Sequence, residues 1–262
     1  MSVKNQKKWL LLDENGVSEV VGFILVFSII TLAIAIIYVV GYPAIEDSKD
    51  RTQLKNMEKN FIVLQSNIEM VAFGESPVKM MRMELGGGTI TVNGSDGAIT
   101  VRTTNGGEIF NDLVGTVTYG MEGRREIIYE NGGIWSRYLS GGSVGVSDPR
   151  INLRKDLNNT RYLVISIVKI NSSTSSTGGK GTVTLTIENS DPLTPIPRID
   201  RAGGTAWINI TSDVAPAWKR YFERLNDTMG GVNVVSSTST MCNVTIQYDH
   251  FVLNNHTVDV RV

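Results

Sequence analysis

At 262 residues the chain has room for one membrane segment and one or two small globular domains with a buried core. Its 25 lysines and arginines nearly balance 26 aspartates and glutamates, so no global field draws it to an acidic partner, and no nucleic-acid partner is expected. The single cysteine, Cys242, excludes an internal disulfide framework and any multi-cysteine metal site, and the two histidines, His250 and His256, have a spacing that fits no helical ligand pair.

From Val20 to Val40 the sequence VVGFILVFSIITLAIAIIYVV supplies about the 20 apolar residues that a helix needs to cross a hydrocarbon core roughly 30 Å thick. A buried helix of a soluble protein would show a polar stripe. This one is apolar on every face apart from Ser28 and Thr31, whose hydroxyls can bond back to helix carbonyls. Lys4, Lys7 and Lys8 precede the span, and charges of mixed sign follow it, so the positive-inside rule puts the amino terminus in the cytoplasm and the rest outside. The exit, Gly41-Tyr42-Pro43-Ala44, lacks the small-residue cleavage pattern of a secretory signal.

The run Gly16-Val17-Ser18-Glu19-Val20-Val21-Gly22-Phe23-Ile24-Leu25-Val26-Phe27 joins a polar leader directly to the apolar helix. It resembles the opening of archaeal type IV pilin-like proteins, and the resemblance covers about the first 75 residues; Ala217-Trp218-Lys219-Arg220-Tyr221-Phe222-Glu223 is similar to a further segment of such proteins. Two positions depart from that archaeal pattern, and a third differs from bacterial pilins. Glu19 stands where many archaeal pilins have proline, Asn15 where a charge often precedes the glycine, and Val21 where bacterial pilins place a glutamate. The resemblance implies a prepilin-type peptidase that cuts between Gly16 and Val17, a helix that anchors the protein in the membrane, and other pilin-like subunits as filament partners. An uncleaved, non-polymerising signal anchor carrying an extracellular ligand-binding module is the alternative.

Beyond the span, Leu54, Met57, Phe61, Leu64, Ile68 and Val71 recur at three- and four-residue steps, which predicts a helix with one apolar seam packed on the protein's own β-domain. Pro43 can kink this helix near its start, and Glu75-Ser76-Pro77 is expected to end it. The organisation expected is thus a leader at 1–16, a transmembrane helix at 17–42, a helical stalk at 43–75 and an extracellular β-rich domain at 76–262.

Within that domain, Thr89–Val92, Ile99–Arg102, Val183–Ile187 and Val244–Tyr248 alternate apolar with polar residues, as half-buried strands do. Tyr162–Ile170 is more apolar and is expected in the middle of a sheet, with Thr257–Val262 as a closing strand. Connections too short for repeated crossover helices predict mainly antiparallel pairing and a sandwich-like α+β fold. One helix interrupts the strands: Asp213 is a candidate cap, Trp218, Tyr221, Phe222, Leu225 and Met229 share a face that packs on the sheet, and Gly230-Gly231 stops it. Asn171–Gly181 has the composition of an exposed, flexible loop.

No catalytic, cofactor-binding or metal-ligating set emerges, and the chain is not expected to be an enzyme. Gly178-Gly179-Lys180-Gly181-Thr182 fails as a phosphate loop, because Thr174 replaces the first glycine and Gly181 the magnesium-binding hydroxyl residue. Gly86-Gly87-Gly88 reads as a turn, the acids Glu188 and Asp191 have no nucleophile or base beside them, and Cys242 reads as a small core residue. Asn93, Asn158, Asn171, Asn209, Asn226, Asn243 and Asn255 each open an Asn-x-Ser/Thr sequon and are candidate N-glycosylation sites. Asn158 and Asn171, in polar loop-like text, are the favoured ones; Asn209 and Asn243 fall in strands and are less favoured.

Overall fold

The computed structural model describes residues 14–121, 124–190, 198–200 and 202–262. The chain divides into two compact units, Met1–Leu54 and Lys55–Val262. Three α-helices are described: α1 (Glu14–Ile36), α2 (Tyr42–Ala72) and α3 (Ala215–Met229). The sequence-predicted Lys4, Lys7, Lys8 and Asp191 lie outside the described residues.

In the first unit, α1 leads into one π-helical turn, Ile37–Gly41, and then into the start of α2. Pro43 accounts for that turn: it has no N–H to give the carbonyl four residues back, and its ring crowds that carbonyl, so the preceding turn widens. Ser28 Oγ donates to the Ile24 carbonyl at 2.7 Å and Thr31 Oγ1 to that of Phe27 at 2.9 Å, so these two aliphatic hydroxyls bond back to the helix as expected.

In the second unit, the seam residues Met57, Phe61, Leu64, Ile68 and Val71 are completely buried. The same stretch of α2 is tied to the β-region by polar contacts. Gln65 Nε2 donates to the Gly132 carbonyl at 2.6 Å, Glu58 pairs with Arg125 at 2.8 Å, Glu69 pairs with Arg150, and Asn189 Nδ2 donates to the Val71 carbonyl. The seam therefore packs on the chain's own β-structure. The helix ends at Ala72, before Glu75-Ser76-Pro77, because Gly74 adopts φ +79° and turns the chain while Ser76 N–H reaches the Met70 carbonyl.

The strands in chain order are β1 (Val78–Glu84), β2 (Thr89–Asn93), β3 (Ala98–Thr103), β4 (Gly107–Leu113), β5 (Thr116–Gly120) and β6 (Glu126–Glu130). There follow β7 (Gly133–Arg137), β8 (Ser143–Ser147), β9 (Ile151–Lys155), β10 (Arg161–Ile170), β11 (Ser175–Gly178) and β12 (Thr182–Asn189). The last are β13 (Arg198–Asp200), β14 (Gly204–Thr211), β15 (Val232–Ser237), β16 (Met241–Tyr248) and β17 (His250–Arg261).

They form three sheets among the described residues: β1-β12-β17-β10-β9 with β13 added against β17, β11-β2-β5-β6-β7-β8, and β15-β16-β14-β3-β4. Pairing is antiparallel except between β10 and β17, which run parallel from Tyr162↔His250 to Ile170↔Val258. β10 lies inside its sheet, as its apolar text predicts, and the C-terminal strand is longer than expected, beginning at His250, and lies at the centre of the same sheet. The Asn171–Gly181 stretch is exposed, yet part of it pairs as β11 along β2.

One core cluster around α3 draws most of its residues from two sheets, with Ile128 and Trp135 added from the third. Ile99, Val101, Ala206, Ile208, Ile210, Val244 and Ile246 come from one sheet and Leu163, Ile165, Ile167, Phe251 and Leu253 from the other; Trp218, Tyr221 and Phe222 lie between. Trp218 packs at a tilt against Trp135 with centroids 4.7 Å apart and stacks on Phe222 at 5.9 Å. The aromatic stripe of α3 is thus core. Asp213 does not cap the helix: it pairs with Arg137, while Ser212 Oγ accepts from Val214 N–H at 3.1 Å and Ser143 Oγ from Ala217 N–H at 3.0 Å. A second set of buried side chains, outside that cluster, includes the α2 seam with Ile90, Val92, Val117, Leu185, Ile187 and Val260.

Candidate functional site

The apolar stretch of α1 is the first candidate. Its large apolar side chains from Val20 to Val40 are each more than half exposed. A water-exposed cylinder of that composition is unfavourable at about 25 cal/mol for every Å² of apolar surface, whereas in a lipid core the same residues are in their own solvent and the helix satisfies its own backbone. By length and composition the helix is able to cross a membrane. Gly16 and Val17 lie within α1, at the start of the described residues.

The sequons differ sharply in what their carboxamides are doing. Asn93 Oδ1 accepts from Ser95 N–H at 3.0 Å and Thr174 Oγ1 at 3.0 Å, and Asn226 Oδ1 accepts from Val232 N–H at 3.1 Å. Asn171 is exposed but its Nδ2 donates to Asp259 Oδ1 at 3.2 Å. Asn243 Nδ2 donates to Ser236 Oγ at 3.0 Å, and Asn255 Oδ1 is a buried atom with no partner. Asn158, in the turn between β9 and β10, and Asn209, on β14, are exposed.

A buried polar cluster was not read from the sequence. Glu130, at the end of β6, is 2% exposed; its carboxylate accepts from Ser212 Oγ at 2.6 Å and from Trp218 Nε1 at 2.8 Å. Burial pushes its pKa up to about 7, against the lowering effect of those two donors. Next to it Asn131, with φ 45°, is fully buried and accepts from Val168 N–H at 3.0 Å through Oδ1. These groups join three separated chain segments, so no local spacing announces them. They fix the amino-terminal end of α3 rather than face a cleft.

The rejected motifs are structural. Gly178 ends β11 and Thr182 begins β12, so no helix follows to receive a phosphate, and Gly86-Gly87 form a turn closed by Gly88 N–H on the Leu85 carbonyl at 2.9 Å. Cys242 is fully buried in the core and its thiol is pushed up to about 11 by burial. Glu188 pairs with Arg261 at 3.1 Å, and His250 stacks on Tyr162 at 4.9 Å. Among the described residues no group of three or more His, Cys, Asp or Glu side chains could hold a metal ion.

Comparison with known proteins gives a match to DUF7289, a family of unknown function, over residues 15–261. The chain belongs to that family. The match begins within α1 and ends in β17, so the DUF7289 fold includes the apolar helix as well as the three sheets. An uncharacterised protein of Archaeoglobus fulgidus is 29% identical over 236 residues, covering 82% of this chain and 84% of its own length. A second uncharacterised protein of that organism is 34% identical over 90 residues, 34% of this chain and 30% of its own length. No solved structure matches.

Proposed function

We propose that this DUF7289 protein is a cell-surface subunit of the archaeal type IV pilin kind, structural or adhesive in role, made with a short cytoplasmic leader and held in the membrane by α1. The observation that carries the reading is the apolar stretch Val20–Val40, formed by α1 and the π-helical turn after it, whose large apolar side chains are all exposed. The resemblance of Gly16–Phe27 to a prepilin-type opening and the archaeal origin of the relatives support it. In this reading a prepilin-type peptidase cuts between Gly16 and Val17, and the β-rich domain lies outside the cell. A helix freed of its charged leader can leave lipid and bury the same apolar surface against the helices of other subunits, which would exchange one apolar environment for another at little cost. No catalytic residue enters the proposal.

The test is the mass of the intact protein isolated from the membranes of an archaeal host. A mature chain starting at Val17 is the expected outcome, followed by recovery of the protein in sheared surface filaments. A chain still starting at residue 1 or 2 would overturn processing and leave an uncleaved signal anchor whose outer domain binds a ligand without polymerising.

A further inference from the structure

We propose that Asn209 carries an N-linked glycan whose first sugar stacks on the exposed indole of Trp207, making the outer face of the β14 sheet a glycan-covered surface. The inference rests on the outward orientation of the domain given above.

The geometry begins with the alternation of β14. Ala206, Ile208 and Ile210 point into the core at 0% exposure, which sends Trp207 and Asn209 to the opposite face. β14 is the middle strand of its sheet, so both residues sit at the centre of that face. Trp207 is 41% exposed, which is unusual for the most costly side chain to leave in water. Register places it between Arg102 and Thr245, and Asn209 between Thr100 and Asn243. Together Arg102, Thr103, Thr104, Gly107, Trp207 and Asn209 line a cleft of about 420 Å³.

Neighbouring polar groups on this face are engaged with one another. Thr100 Oγ1 donates to Asn111 Oδ1 at 3.1 Å, Asn111 Nδ2 to Glu108 Oε1 at 3.2 Å, and Asn243 Nδ2 to Ser236 Oγ at 3.0 Å. The Asn209 side chain makes no hydrogen bond among the described residues, and its amide nitrogen is available. Thr211 completes the sequon. Of the seven sequons, Asn209 has an aromatic residue two positions earlier; the others have Thr91, Asp156, Lys169, Arg224, Met241 and Leu253 there. Two steps along a strand span about 6.7 Å, which one pyranose ring bridges. A ring leaving the Asn209 amide along the strand would lay its C–H face over the indole and dry it, while its hydroxyls meet Arg102 and the threonines.

The donor is an oligosaccharide joined through phosphate to a polyprenyl lipid. The Asn209 carboxamide nitrogen attacks the anomeric carbon, the bond from that carbon to the phosphate oxygen breaks, the lipid phosphate leaves with the electron pair, and the amide proton passes to the transferase. Nothing is oxidised or reduced.

The experiment is glycopeptide mass spectrometry of the full chain from an archaeal host that N-glycosylates its surface proteins, with melting before and after enzymatic or chemical deglycosylation. Asn209 is expected to be occupied, and removing its glycan should lower the Tm of the parent and of Trp207→Phe by a few degrees but leave Trp207→Ala unchanged. Asn209 found empty while Asn158 is occupied would overturn the proposal and leave the orientation standing. No sequon occupied would overturn both. An occupied Asn209 whose loss shifts Trp207→Ala as much as the parent would overturn the role of Trp207.

Discussion

Trp218 on α3 donates its indole N–H to the buried carboxylate of Glu130 on β6, at 2.8 Å, and so bolts that helix to a strand 88 residues earlier. The other carboxylate oxygen takes the Ser212 hydroxyl, and Ser212 in turn holds Val214 N–H at the start of the helix. One acid thus positions the helix end and the ring at the centre of the core.

This arrangement gives a pH dependence with a definite sign. Burial raises the Glu130 pKa from 4.5 to about 7, so between those values the folded state holds a proton that the unfolded chain releases. Its contribution is fully present below pH 4.5 and is lost as pH rises through 7. Glu130→Gln, which stays neutral, should therefore gain stability relative to the parent between pH 4.5 and 8, by up to about 3 kcal/mol. Melting curves of the two proteins at several pH values check it; a constant difference across that window would contradict it.

Phe61, on the seam of α2, is completely buried. Phe61→Ala removes the ring and leaves a cavity, and a loss of about 3–5 kcal/mol is expected. Ile62 beside it is 48% exposed, so Ile62→Ala should cost only about 0.5 kcal/mol. Chemical denaturation of both variants in detergent, against the parent, separates the seam from the solvated face of the same helix.

Those two adjacent residues also show how much was legible. Periodicity assigned the buried face of α2 and the aromatic face of α3, because a helix repeats its apolar positions within one segment. Alternation likewise located β2, β3, β12 and β16. It says which face a strand buries but not which strand lies alongside, so the parallel register of Tyr162 against His250 was hidden. β11 was missed because an exposed edge of serine, threonine and glycine has no apolar face to alternate. Asp213 read as a cap by type and position, but Arg137, 76 residues away, took its carboxylate and left the helix end to Ser212 and Ser143. The sequons were visible as triplets, whereas the freedom of the Asn209 amide and the binding of that of Asn243 depend on partners that only the folded sheet supplies.

Gly88 follows the turn between β1 and β2, and a Cβ added there would lie 2.4 Å from the Tyr119 ring. That ring cannot yield easily, since it is completely buried and its hydroxyl donates to the Leu85 carbonyl at 2.5 Å. Gly88→Ala is expected to destabilise by about 1–3 kcal/mol through overpacking. Combining it with Tyr119→Phe, which frees the ring from its hydrogen bond, should give a loss smaller than the sum of the two single changes; strict additivity in a double-mutant cycle of melting data would show that the two do not meet.

Leu32 lies near the middle of the apolar stretch and is 62% exposed. An arginine at the centre of a spanning helix costs about 2.5–3.5 kcal/mol for insertion, and a single such charge against this many apolar residues should weaken anchoring without abolishing it. A second charge, as in Leu32→Arg with Ile29→Arg, should move most of the protein out of the membrane fraction. Both positions are far from the β-sheets in sequence, so near-ultraviolet circular dichroism of the β-region should be unchanged in either variant. Carbonate extraction of membranes reads the outcome directly: if the doubly charged protein stays in the pellet as firmly as the parent, then something other than α1 holds this chain at the membrane, and the reading of α1 as anchor fails.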